Sequence, residues 1–284
     1  MSINNIYIEK FISATEKAAC GAYLHVGKDD KVAADKSAVD AMRSEFNKID
    51  MDGTIVIGEG EMDEAPMLYI GEKIGTKKGQ ALDIAVDPLE GTNFVAKNLP
   101  NSFSVMAAAE VGNLFTAPDT YMEKIAIGSN LPRNLLDLDN SLEKNISLLA
   151  EAKSTKPEKL TACILKRDRH KKIVEGLNKM KVNIKFISDG DISGAIYVVD
   201  KNSPVDIYLG IGGGPEGVLA ASALDAYDCF FQGRFIFETE KDKLRANEMG
   251  IEDFNRKYNL NEIISGDSIF CATGITSGDL VTGI

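Results

Sequence analysis

The stretch DIAVDPLEGTNF, Asp83–Phe94, climbs through Ile84, Ala85 and Val86, sets Asp87 and Glu90 around a proline, and follows them with Gly91 and Thr92. The apolar run LDIAV (82–86) predicts a buried strand. Pro88 has no N–H to give a ladder and is expected to stop that strand, leaving Asp87 fixed at its C-terminal edge. Gly91 and Thr92 then read as a helix start, where exposed backbone N–H groups and the helix dipole make an anion site. One short segment could so hold a cation on Asp87 and Glu90 and a phosphate on Gly91 and Thr92. The plainer alternative is a strand followed by an ordinary capped helix.

Upstream, GTIVIGEG (53–60) predicts another short strand, and GEGEMDEAP (58–66) crowds Glu59, Glu61, Asp63 and Glu64 into the loop after it. Such crowding is costly unless cations neutralise it. Hard divalent ions such as Mg²⁺ or Mn²⁺ take oxygen ligands from carboxylates; a solvated acidic turn is the bland reading. Asp35, in AADKSAVDAM, stands where a helix N-cap is expected. GIGGGPEG (210–217) follows a strand and opens a helix, superficially like a dinucleotide fingerprint, but glycine spacing alone is weak and Pro215-Glu216 suits a pyrophosphate turn poorly. KRDRH (166–170) packs cations at a helix start, and SDGD (188–191) is a polar turn after a strand; each is equally a solvated helix end.

Along the chain, residues 6–19 and the segment after Asp35 show helical spacing of apolar residues. SFSVMAAAEV (102–111), the Gly112-Asn113 turn and LFTA read as a hairpin, giving a first half of helices on a largely antiparallel sheet. From about 159 strands alternate with helices, which implies βαβ units and a parallel or mixed sheet. The boundary is expected in EAKSTKPEK (151–159), between domains 1–155 and 156–284.

Hydrophobic residues make up 44% of the 284, and no apolar run approaches a bilayer span. The N-terminus lacks signal-peptide regions, so the cytoplasm is expected. The scattered Cys20, Cys163, Cys229 and Cys271 read as buried thiols in a reducing compartment. A net charge of −11 argues against nucleic acid or an anionic membrane as partner. With only His25 and His170 present, carboxylates and metals are the better-supplied chemistry.

Together DPLEGT, GTIVIGEGEMDEAPMLYIGEK, the Asp189–Asp191 turn and GIGGGPEG resemble the lithium-sensitive, metal-dependent sugar and inositol phosphatase superfamily, whose signature is Asp-Pro-(Ile/Leu)-Asp-Gly-Thr. Glu90 in place of the usual Asp, with the flanking motifs, is similar to the class II fructose-1,6-bisphosphatases of bacteria, along nearly the whole chain. The resemblance implies an α+β sugar-phosphatase fold layered α/β/α/β/α and hydrolysis of the 1-phosphate of fructose 1,6-bisphosphate in gluconeogenesis. It also implies Mn²⁺ or Mg²⁺ as cofactor, and a homo-oligomer is expected. It makes Asp35, Glu59, Asp87, Glu90 and Glu216 the metal ligands, overturning the capping and dinucleotide readings. It places Glu90, Gly91, Thr92, Tyr121, Arg167, Asp168, Arg169, Asp189, Gly190, Asp191 and Gly213 against the substrate.

On this basis Thr92 and Asp63 are the expected catalytic residues, orienting the attacking water and taking its proton. Lys166, Arg167 and Arg169 are expected to anchor the distal 6-phosphate, the arginines bidentately. Arg167 and Asp168 depart from the Lys and Pro of the family pattern, so Asp168 must point away or offer only backbone. The resemblance implies family members that run on past ATGITSGDLVTGI, so either this member is short or a C-terminal piece of the second domain is absent. An inositol monophosphatase, a nucleotide 3′-phosphatase, or a silent sugar-phosphate binder remain the competing readings, and sedoheptulose 1,7-bisphosphate stays open as a further substrate.

Overall fold

Apolar residues at helical spacing open the chain, and the first elements follow from them. The structure, a computed structural model, describes residues 3–60, 67–200 and 202–284. The elements run α1 (Ile8–Tyr23), α2 (Lys31–Phe46), β1 (Met51–Ile57), β2 (Lys73–Ile74), β3 (Gln80–Glu90), α3 (Thr92–Ala96) and β4 (Phe103–Glu110). Next come β5 (Tyr121–Ile127), α4 (Leu142–Ala152), β6 (Thr161–Leu165), α5 (Lys171–Lys179), β7 (Asn183–Ile187) and α6 (Asp191–Ile196). The remainder is β8 (Ile207–Gly213), α7 (Gly214–Asp225), β9 (Phe230–Ile236), α8 (Glu240–Glu248), β10 (Lys257–Asn259), α9 (Leu260–Ile263) and β11 (Ser268–Gly274). Among the described residues no helix is long and apolar enough to cross a membrane. The chain is α+β, as expected.

The first compact unit comprises Met1–Thr116 and Ile264–Ile284. Its sheet runs β11-β4-β3-β1-β2, antiparallel except for the β1–β3 pair. Helices α1 and α2 pack on each other and on β3, burying Phe11, Ala18, Ala38, Met42 and Phe46 in one core with Ile55, Ile84, Val86 and Met106. At about 25 cal/mol per Å² of apolar surface, that burial is the main term holding the unit together.

The second unit is Ala117–Ile263. Its sheet runs β10-β9-β5-β8-β6-β7; the pairs from β10 to β8 are antiparallel and those from β8 to β7 parallel, a mixed sheet. Ile125, Ile127, Ile146, Leu149, Ala162, Leu177, Ile207 and Leu209 form a core between its strands and helices α4 and α5.

Several readings of the sequence are corrected. The units divide at Thr116/Ala117 and not in 151–159, because both ladder partners of β5, β8 and β9, lie downstream of it. LFTA makes no hairpin: β4 pairs with β3 and β11, and only Leu114 forms a bridge, to Ile264. Pro88 does not stop its strand; β3 continues to Glu90 with a register shift between Asp87 and Glu90, a bulge that spares the missing N–H from the ladder. Asp35 is not an N-cap, since α2 begins earlier and Asp30 caps it, its carboxylate accepting from the Ala33 N–H at 2.9 Å. Of the cysteines, Cys20 is exposed; burial pushes the Cys163 thiol up to about 12 and those of Cys229 and Cys271 up to about 11, so these three are inert.

Candidate active site

In the first unit the parallel pairing of β1 and β3 sets Ile57 opposite Ala85, which brings Glu59 and Asp87 to the same C-terminal edge of the sheet. Asp87 turns on itself there, its Oδ1 accepting from the Leu89 N–H at 3.1 Å across Pro88. Glu90 is buried, and its carbonyl accepts from the Ser102 hydroxyl at 2.8 Å. Gly91 sits at φ +80 and ψ +54, a left-handed conformation that costs other residues about 1 kcal/mol or more. A Cβ there would press on Phe94 Cδ2 at 2.7 Å.

Thr92 is the first residue of α3, where backbone N–H groups lack intrahelical acceptors. The loop between α1 and α2 is tied to α3, Gly27 and Asp29 donating to the carbonyls of Val95 and Ala96 at 2.9 Å each. Helix α2 therefore carries Asp35 on an element packed against α3 and β3. The Asp35 carboxyl has no hydrogen bond or ion pair among the described residues, and burial raises its pKa above the ordinary value. Asp63 lies outside the described residues.

In the second unit Tyr121 opens β5 opposite Gly213 of β8. The Arg169 guanidinium lies over the Tyr121 ring, 4.6 Å from its centroid, and its Nε and Nη2 donate to the Ile211 carbonyl at 2.9 and 2.8 Å. Its Nε–Nη2 edge is thus engaged by one carbonyl, and its Nη1–Nη2 end keeps donors for an anion. Arg167 donates from Nη1 to the Ser188 carbonyl at 2.6 Å and pairs through Nη2 with Asp189 at 3.5 Å, which pins the Asp189–Asp191 turn to the basic segment. Lys166 and Asp168 are exposed.

His170 serves as an internal tie. Its Nε2 accepts from the Ile211 N–H at 2.8 Å, so the proton sits on Nδ1, which donates to the Leu165 carbonyl at 2.6 Å. Burial is the main cause of its lowered pKa, and the ring stays neutral.

Two glycines of GIGGGPEG, Gly212 and Gly213, make room for carboxylates. A Cβ on Gly212 would overlap the Asp191 carboxylate, and one on Gly213 would overlap Glu216 Oε2. Lys124, fully buried on β5, donates to Asp191 Oδ2 and, at 2.6 Å, to the Gly213 carbonyl. Asp191 Oδ1 is buried without a hydrogen-bond partner. The Glu216 carboxyl is raised by burial first, with Lys124 lowering it and Asp191 and Asp119 raising it. Asp191 and the buried Glu216 carboxyl thus both lie in the field of the single Lys124 ammonium.

Among the described residues no three His, Cys, Asp or Glu side chains gather into one cage. The donors are oxygens throughout, suited to a hard ion such as Mg²⁺, which binds through one or two carboxylates plus waters and substrate phosphate.

The model of a family described as bacterial fructose-1,6-bisphosphatase, glpX-encoded, matches residues 5–284. The chain belongs to this family. The class 2 fructose-1,6-bisphosphatase of Haemophilus influenzae is 40% identical over 296 residues, covering 99% of the chain and 88% of that protein. Fructose-1,6-bisphosphatase 1 class 2 of Escherichia coli is 41% identical over 289 residues, covering 97% and 85%. A Trichodesmium erythraeum relative, named D-fructose 1,6-bisphosphatase class 2/sedoheptulose 1,7-bisphosphatase, is 38% identical over 307 residues, covering 99% and 89%. Among solved structures, CysQ from Bacteroides thetaiotaomicron, a bacterial member of the inositol monophosphatase family, is similar at a TM-score of 0.40 and 14% identity, over 72% of this chain and 80% of that one; this likeness is too distant to add to the family assignment.

Sequence reasoning missed Lys124 and His170. The only signal for Lys124 was a lysine inside the apolar strand YMEKIAI, and for His170 its place beside the basic cluster.

Proposed function

We propose that this chain is a divalent-metal-dependent phosphoric monoester hydrolase that removes the 1-phosphate of fructose 1,6-bisphosphate, yielding fructose 6-phosphate and inorganic phosphate. The observation that carries it is membership, across residues 5–284, of the bacterial fructose-1,6-bisphosphatase family. The reading assigns Asp35, Glu59, Asp87, Glu90 and Glu216 to hold Mg²⁺ or Mn²⁺, which when bound supplies Lewis-acid polarisation of the phosphoryl group and acidifies water. The Asp35 carboxyl, raised by burial and without a partner among the described residues, and the buried Glu216 carboxyl, likewise raised by burial, support this use of them.

The chain's own residues take the remaining roles. Thr92 orients the water that attacks phosphorus in line with the C1 oxygen, and Asp63 accepts its proton. Backbone N–H groups at the start of α3 donate to the equatorial phosphoryl oxygens, whose charge grows in the transition state. Tyr121, Gly213 and the Asp189–Asp191 turn hold the sugar, with Asp191 Oδ1 free to accept from a hydroxyl. Lys166 and the Nη1–Nη2 end of Arg169 meet the 6-phosphate. On this reading the enzyme serves gluconeogenesis. Sedoheptulose 1,7-bisphosphate is a second substrate, favoured by the naming of the Trichodesmium relative.

The test is phosphate release from fructose 1,6-bisphosphate with Mn²⁺, Mg²⁺ or EDTA, beside inositol 1-phosphate and 3′-phosphoadenosine 5′-phosphate. Metal-dependent release from the sugar bisphosphate, abolished by EDTA and not seen with the other esters, is expected. Release from either other ester alone overturns the assignment.

A further inference from the structure

We propose that Arg43 and Glu72 form a positioning brace that sets a divalent metal's ligands in the first unit, a proposal that rests on the functional reading above. Glu72 is 5% exposed yet sits in a loop segment between β1 and β2. Its Oε1 accepts from Arg43 Nε at 2.6 Å, and its Oε2 accepts from the Leu68 N–H. Its backbone is equally committed: the Ile55 N–H donates to the Glu72 carbonyl at 2.9 Å, and the Glu72 N–H donates to the Tyr69 carbonyl at 2.9 Å. The carboxylate therefore fixes Leu68 to the first strand.

Leu68 is the residue that receives Glu59. The Glu59 N–H donates to the Leu68 carbonyl at 3.0 Å, and the Ile70 N–H donates back to the Gly60 carbonyl at 3.0 Å. Leu68 holds φ +54, which an unaided leucine avoids; the bond from its N–H to Glu72 compensates. Gly58 leaves room for this approach, since a Cβ there would overlap the Leu68 carbonyl.

Arg43 lies on α2, two turns or about 12 Å beyond Asp35 at the rise of an α-helix. One charged pair thus links the helix carrying Asp35 to the loop carrying Glu59. A carboxylate this deeply buried needs its partner, and groups that support metal ligands from behind typically govern affinity by 10- to 100-fold. Loss of the pair also bears on the fold, because Glu72 is buried, so metal affinity in a folded variant is the readout that distinguishes a brace from a stability contact.

The experiment measures Mn²⁺ uptake by the full chain, through loss of the free-ion electron paramagnetic resonance signal, for wild type, Arg43→Gln, Glu72→Gln and Arg43→Lys. Melting curves establish that each is folded; Arg43→Gln, at an exposed position, keeps the test valid should Glu72→Gln fail to fold. The expected result is a Kd for Mn²⁺ raised about tenfold or more in both Gln variants. Arg43→Lys should recover most of it, and KM for fructose 1,6-bisphosphate at saturating Mn²⁺ should stay within about twofold of wild type. Wild-type Mn²⁺ affinity in folded Arg43→Gln overturns the brace, as does a raised KM with unchanged affinity. A wild-type chain that takes up no Mn²⁺ overturns the metal-dependent reading itself, a separate failure.

Discussion

Asp35 carries a cost that a bound ion removes. Its folded pKa stands above the ordinary 3.8 because burial disfavours the charge and no described partner offsets it. A raised folded pKa means that the proton stabilises the fold: the contribution is complete below 3.8 and is lost as pH rises through the raised value. Above that raised value the metal-free protein bears a charge that no described partner offsets. Asp35→Asn should melt higher than metal-free wild type, by about 2–4 °C for each kcal/mol relieved. The gap should close as pH falls to about 4, where the unfolded carboxyl protonates as well, and Mn²⁺ should stabilise wild type but not the variant. Calorimetry with and without metal checks this, and a lower melting point for Asp35→Asn at neutral pH would remove the argument. Asp35 and Glu216 were visible in the sequence as carboxylates at element boundaries. Lys124 was not, because an isolated lysine in a strand ordinarily faces water. Here Gly210 and Gly233 are its partners on β8 and β9 and Gly217 of α7 leaves room for its stem, a Cβ there meeting Lys124 Cδ at 3.3 Å, and that packing has no trace in linear order.

At the level of elements, the β8–α7 joint was legible as a glycine-rich turn but not for its purpose. Gly213 has φ −64, open to any residue, so its glycine is required by space alone. Gly213→Ala should fold with little backbone strain while displacing Glu216. Its kcat/KM should fall about a hundredfold, the scale of a misplacement near 1 Å, with weaker Mn²⁺ binding and a nearly unchanged far-ultraviolet dichroism spectrum. Wild-type turnover would show that Glu216 has room to move. The alternation of strands and helices from β6 to α7 was readable because short apolar runs alternate with segments of helical spacing, although β7 itself buries no residue fully. The bulge at Pro88 and the missing hairpin at LFTA were not, since a strand's end depends on which neighbour pairs with it, and β4 found its partner in β11.

For the molecule as a whole, the class of fold and the antiparallel and mixed characters of the two sheets could be foreseen, but the boundary could not. The polar stretch 151–159 is only the end of α4 and the 3₁₀ turn Pro157–Lys159, a surface feature within one unit. Contact between distant segments decides the division: Ile264–Ile284 folds with Met1–Thr116, and Cys271 and Ile275 sit in the same core as Phe11 and Ile84. Deleting 264–284 should therefore expose the first unit to limited proteolysis while cuts within 117–263 stay rare, as read by mass spectrometry. Equal protection of both units would refute the division. The same arrangement bears on how the protein is born. Strand β4 leaves the ribosome before the whole of the second unit and β11 after it, so at roughly 5–20 residues per second its outer edge waits on the order of ten seconds for its mate. During that interval an unpaired strand edge can join the wrong chain, and synthesis rate and crowding, rather than final stability, set the yield of native enzyme.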